Sequence, residues 1–119
     1  MGETTVLTYS IILFAIAAVG GLLMAINVLG GKQAPWALSI LHALLGAAGL
    51  VTLGLVAWET RGAGRVTAAL ALLVVAALGG FYLASIHLRG SIAPKGIVVI
   101  HAGVAVTGFL ILLSIKLGL

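Results

Sequence analysis

The chain contains no cysteine. That removes disulfides, thiolate nucleophiles, thioether-linked cofactors and iron–sulfur ligation together. Acidic residues are almost as scarce, with only Glu3 and Glu59 in 119 residues. Neither lies deep in an apolar run, so no carboxylate is available there to complete a four-ligand zinc site or to couple an ion pathway. The six basic residues give a formal charge of +4 but are scattered along the chain. Without a basic cluster there is no footprint for nucleic acid. Charged residues make up 7% and hydrophobic residues 63% of the sequence, and the mean hydropathy is +1.37. A soluble domain of this length needs more polar surface than that to cover itself.

The apolar residues fall into four runs, spanning residues 6–29, 36–58, 66–88 and 96–117. Each is about 22–24 residues long, and a helix crosses the hydrocarbon core with about 20. They are continuously apolar rather than alternating, which excludes the strands of a membrane β-barrel. The connections, Gly30–Pro35, Glu59–Arg65 and Arg89–Lys95, are short enough to make each helix antiparallel to the one before it. The expected fold is therefore all-α, an integral membrane four-helix bundle running up-down-up-down, with residues 1–119 as one transmembrane domain. The first run is too long for a leader's hydrophobic segment and follows Glu3 instead of a basic stretch, so it is expected to stay as a span. The expected location is a bacterial inner (cytoplasmic) membrane. Let side A hold the ends of the chain and the middle loop, and side B the other two loops. Basic residues tie, with Arg61, Arg65 and Lys116 on side A and Lys32, Arg89 and Lys95 on side B, so charge assigns neither face to the cytoplasm.

Shifting the sequence by 59 residues aligns its halves without a gap. Gly20-Gly21 falls on Gly79-Gly80, Gly31 on Gly90, Ala34-Pro35 on Ala93-Pro94, His42-Ala43 on His101-Ala102 and Gly49 on Gly108. Alanine and leucine matches are common among apolar helices, but two of three histidines and both prolines at one offset are not. The reading is two tandem helical hairpins, residues 8–60 and 67–119, related by a pseudo-twofold axis along the membrane normal.

An ionisable residue inside a span is a functional candidate by default. His42 and His101 each lie five or six residues inside side B, about 8–9 Å deep at 1.5 Å per residue. Helices 2 and 4 run parallel, so the two imidazoles can face each other at one level. A neutral imidazole gives one nitrogen to a metal while the other donates to a neighbour, and two such rings can be the axial ligands of a haem iron. Gly20-Gly21 and Gly79-Gly80 lie about 12 Å below side B on helices 1 and 3. Glycine weakens a helix interior, so each pair needs a reason. Close helix packing is one. Space for a bulky planar ligand held by the other two helices is the one expected here.

These positions resemble the haem-binding core of membrane b-type cytochromes, in which paired histidines on two parallel helices hold a haem and glycines on the intervening helices make room for it. The resemblance rests on Gly20, Gly21 and His42 in one half, and Gly79, Gly80 and His101 in the other. It implies one haem b per chain, ligated by His42 and His101. The larger members carry a second histidine pair near the opposite face. No histidine lies on side A here, so one haem is the most this chain supports.

His87 has no repeat counterpart; Val28 stands in its place. It lies near the side-B boundary and reads as a haem propionate partner, a contact for a quinol or other donor, an alternative ligand, or an interfacial residue. Arg89 and Lys95 are further cofactor-binding candidates as propionate counter-ions, with Lys32 beside them. Trp36 and Trp58 read as interfacial belt residues. Ser39, Asn27, Ser85 and Thr107 are candidates for hydrogen bonds between helices or to an imidazole. No catalytic constellation is present. The expected role is electron transfer by a membrane cytochrome, with lipid around it and a quinol or redox protein as partner, alone, as a homodimer or within a larger complex. The alternatives are a pigment-binding or structural accessory subunit of a respiratory or photosynthetic complex, and a small four-helix transporter.

Overall fold

The computed structural model describes residues 2–62 and 64–119; Met1 and Ala63, both inside the expected domain, lie outside the described residues. The chain forms four helices, α1 (Glu3–Leu29), α2 (Trp36–Glu59), α3 (Gly64–Leu88) and α4 (Lys95–Lys116). No proline interrupts them. Pro35 and Pro94 instead stand immediately before α2 and α4, with φ of −61° and −59°, where the missing N–H costs nothing. The helix ends differ from the apolar runs by one to three residues. α1 begins at Glu3, α2 reaches Glu59, α3 begins at Gly64, and α4 runs from Lys95 to Lys116. Hydropathy marks where the apolar stretch stops, whereas the backbone hydrogen bonds continue through the polar residues at the headgroup level.

α1 and α3 leave their helices through the same turn. The N–H of Gly31 bonds to Val28 O at 3.0 Å and that of Lys32 to Asn27 O at 2.9 Å. Fifty-nine residues on, Gly90 bonds to His87 O at 3.0 Å and Ser91 to Ile86 O at 3.2 Å. Gly31 and Gly90 take φ of 82° and 74°, the left-handed conformation that this closure needs and that glycine adopts without strain.

Each helix packs against two others. α1 lies against α2 and α4, and α3 lies against α4 and α2. The long dimension is 42 Å, close to the roughly 40–45 Å of a bilayer with its headgroups. All four helices are long and apolar enough to cross a membrane, and between 11% and 22% of each apolar window is buried. Most of the apolar surface therefore faces outward, as it does in an integral membrane protein.

The packed core occupies the side-A half. It comprises Leu7, Phe14, Leu53, Val56, Val66, Ala69, Leu73 and Leu112. Two glycines seat its largest knobs. A Cβ on Gly49 would lie 2.7 Å from Phe14 Cε1, and one on Gly108 would lie 2.8 Å from Leu73 Cγ. Both contacts fall at the repeat offset, and in each the small residue lets a neighbouring side chain approach the backbone. Ser10, wholly buried, donates to Thr52 Oγ1 at 2.7 Å and joins α1 to α2 within this core. Toward side B, the buried apolar residues are fewer: Ala17, Ala76, Ile86 and Val98.

Gly49→Ala should therefore destabilise the bundle by about 1–3 kcal/mol, since Phe14 cannot retreat within a packed core. Gly46→Ala, where a Cβ meets nothing within 4 Å, should not. Thermal unfolding in detergent micelles compares the two.

Candidate functional site

His42 and His101 come together across the bundle. They sit on α2 and α4, the diagonal pair, with ring centroids 6.3 Å apart and planes at 74°. Each is held from behind by the other helix of its own hairpin. His42 Nδ1 lies 2.8 Å from Ala17 O on α1, and His101 Nδ1 lies 2.8 Å from Ala76 O on α3. A carbonyl oxygen only accepts, so Nδ1 carries the proton in both rings. In a neutral imidazole, Nε2 is then a bare lone pair. Neither ring can donate to the other, and among the described residues no side chain donates to either Nε2.

The glycines explain how the imidazoles reach those carbonyls. In an α-helix, the carbonyl of residue 17 also accepts from the N–H of residue 21, so the imidazole must approach beside Gly21. A Cβ there would lie 2.9 Å from His42 Cε1, and one on Gly80 would lie 3.3 Å from His101 Cε1. A Cβ on Gly20 would be 4.0 Å from His42 Cβ, and one on Gly79 3.5 Å from His101 Nδ1. The sequence reading assigned the glycine pairs to the space of a planar ligand held by other helices. In the structure, all four glycines border the histidine of their own hairpin, and Gly21 and Gly80 admit its ring.

His87 stands apart from this pair. No group of three or more potential metal-ligating His, Cys, Asp or Glu side chains forms among the described residues. Its ring stacks on Trp36 at 3.8 Å and 11°, and its Nδ1 lies 3.3 Å from Ser39 Oγ. Its Nε2 is buried with no hydrogen-bond partner among the described residues, so this is not a freely hydrated interfacial side chain. Arg89, Lys95 and Lys32 are exposed at the same end of the bundle. Of the other polar candidates, Asn27 donates to Leu23 O, Ser85 to Tyr82 O and Thr107 to Gly103 O, each within its own helix.

An apolar groove of about 170 Å³ between α1 and α2 opens beside His42, bordered by Gly20, Leu23, Leu38, Leu41 and Leu45. Sequence reasoning missed Ala17 and Ala76 because a backbone carbonyl leaves no side-chain signature. The available signal was the four-residue spacing of Ala17 to Gly21 and Ala76 to Gly80 in both repeats. It also missed the pairing of Trp36 with His87. Comparison with protein-family models, curated proteins and solved structures finds no match.

Gly21→Ala should force the His42 ring away from Ala17, leaving its Nδ1–H unpaired at a cost of about 1–3 kcal/mol. Gly20→Ala, whose Cβ makes only ordinary contacts, should leave it in place. Nitrogen-15 NMR of histidine-labelled, metal-free protein distinguishes these outcomes through the protonation of the His42 ring nitrogens.

Proposed function

We propose that this protein is a membrane-embedded haem b protein that carries single electrons between a quinol or other reductant and a partner near side B. The observation that carries this reading is the facing pair of imidazoles, both protonated on Nδ1, with their centroids 6.3 Å apart. Two partly buried imidazole lone pairs, to which no described side chain donates, invite a Lewis acid between them. Imidazole nitrogens bind metals at about 2 Å, and each ring centre lies about 1 Å farther out, so two imidazoles that would hold one metal between them would have centroids about 6 Å apart.

The residues fit a haem in three respects. His42 and His101 supply two nitrogen ligands at one level. Ala17 O and Ala76 O each accept from an Nδ1–H and so orient the rings, the usual work of outer-shell partners. The surrounding small and apolar side chains suit a large flat macrocycle. A structural zinc ion fits less well, since it takes four protein ligands and the described residues offer no third.

Bound haem would supply a one-electron iron couple. The chain's own part is to hold the rings, exclude water with apolar helices, and keep both ligand nitrogens unprotonated. Arg89, Lys95 and Lys32 stand on the same side as the pair and would neutralise haem propionates through charge-assisted hydrogen bonds. The proposed setting is a bacterial cytoplasmic membrane, with a quinol or redox protein as partner.

Expression with ample haem should yield a coloured protein with about one haem per chain and a low-spin visible spectrum, as two nitrogen axial ligands imply. His42→Ala and His101→Ala should each abolish the low-spin bands, and His87→Ala should keep them. A colourless wild-type preparation would reject the reading, and loss of the bands in His87→Ala alone would reassign the ligand.

A further inference from the structure

The groove of about 170 Å³ between α1 and α2 belongs to the membrane rather than to the bundle interior. Leu23 of α1 and Leu38, Leu41 and Leu45 of α2 form its walls, and Gly20 has no side chain to fill it. Leu23 and Leu41 are about half exposed, so the groove is open to lipid. Its residues run from Ile16 to Leu23 on α1 and from Leu38 to Leu45 on α2. Counted from the side-B helix ends, that is a depth of about 3 to 20 Å at 1.5 Å per residue. The groove therefore lies in the side-B leaflet, whose hydrocarbon is about 15 Å thick. An apolar recess at that depth fills with hydrocarbon, because an empty one forfeits dispersion contacts.

The charge above the groove selects the molecule that supplies the hydrocarbon. Residues 30–35 join α1 to α2 and so cross the head of the groove. The N–H of Lys32 bonds to Asn27 O at 2.9 Å, which pins the residue to the end of α1, and Lys32 is exposed. Side B holds no carboxylate, since Glu3 and Glu59 both lie at side A. A haem carries two propionates, which Arg89 and Lys95 can neutralise, so Lys32 is left for another anion. A cation at the headgroup level over an apolar groove matches one molecule in both its parts, a phosphate joined to an acyl chain.

We infer that the first hairpin binds one anionic phospholipid, with an acyl chain in the α1·α2 groove and the phosphate on Lys32. A neighbouring transmembrane helix is about 10–12 Å across and does not enter a recess of this volume. An acidic soluble protein would meet the lysine and leave the groove empty. A zwitterionic lipid brings its own cation to the phosphate and gains less from Lys32. Shifted by 59 residues, Leu23 and Lys32 become Tyr82 and Ser91, so the combination belongs to one hairpin and one lipid binds per chain. His42 also borders the groove, so the bound acyl chain covers the lipid side of one paired histidine.

The test is native mass spectrometry of the full-length protein released from detergent micelles. The micelles contain equal amounts of phosphatidylglycerol and phosphatidylcholine with identical oleoyl chains. The protein should retain one phosphatidylglycerol about fivefold in preference to phosphatidylcholine, the worth of one cation at a membrane surface. Lys32→Gln should erase that preference, and Lys116→Gln, on side A, should keep it. Leu23→Trp should lower retention of both lipids by filling the groove. Leu44→Trp, exposed on α2 outside the groove, should not. Equal retention of the two lipids by the unsubstituted protein, a preference that survives Lys32→Gln, or equal effects of the two tryptophans would overturn the inference. So would retention of a second copy of the chain, in place of lipid, that Leu23→Trp abolishes. None of these outcomes depends on whether haem is bound, so the lipid site and the haem reading stand or fall separately.

Discussion

The hydrogen bond from each paired imidazole to a backbone carbonyl of its own hairpin is the constraint on which the site depends. It commits Nδ1 of His42 to Ala17 and Nδ1 of His101 to Ala76, both at 2.8 Å. In an apolar medium, an unpaired ring N–H is expensive, so the bond fixes both rotamer and tautomer. It also dictates sequence elsewhere. A Cβ at position 21 would strike the imidazole at 2.9 Å and one at position 80 would crowd it at 3.3 Å, so glycine suits both positions. One interaction thus links a histidine and a glycine in each repeat.

The bundle divides its work along the membrane normal. On side A, interlocked side chains hold the four helices, with Phe14 and Leu73 seated on Gly49 and Gly108. The buried Ser10–Thr52 hydrogen bond occurs in the first hairpin only, because its repeat counterparts are Ala69 and Ile111. On side B, the buried apolar side chains are fewer, Ala17, Ala76, Ile86 and Val98, and glycine and imidazole lie among them. Packing is concentrated away from the chemistry, so the histidine level can be shaped by function. The same logic lets the α2·α3 seam diverge from its counterpart without disturbing the fold.

Much of this was legible in the sequence, for identifiable reasons. Spans are marked by unbroken apolar runs because lipid tolerates little else, and the turns by Gly31, Gly90, Pro35 and Pro94 because few residues suit those backbone positions. The offset of 59 stood out because histidine and proline are rare here, and it led to the facing of His42 and His101. The helix ends were missed by up to three residues, since hydropathy reports side chains and not backbone bonds. The glycines were noticed, but sequence alone does not say whose atoms occupy the space they leave, and the nearest occupant is the imidazole of the same hairpin. His87 stayed ambiguous because the repeat offers it no template. Its partners Trp36 and Ser39 sit on another helix and become visible only once α2 and α3 are packed.

The central claim is that the two Nε2 lone pairs meet one haem iron. Electron paramagnetic resonance of the oxidised, purified protein tests it most directly, because the signal reports the spin state set by the axial ligands. The account predicts a low-spin ferric haem with two nitrogen ligands. A high-spin ferric signal from the intact protein, or iron-free protein from haem-replete cells, would contradict it.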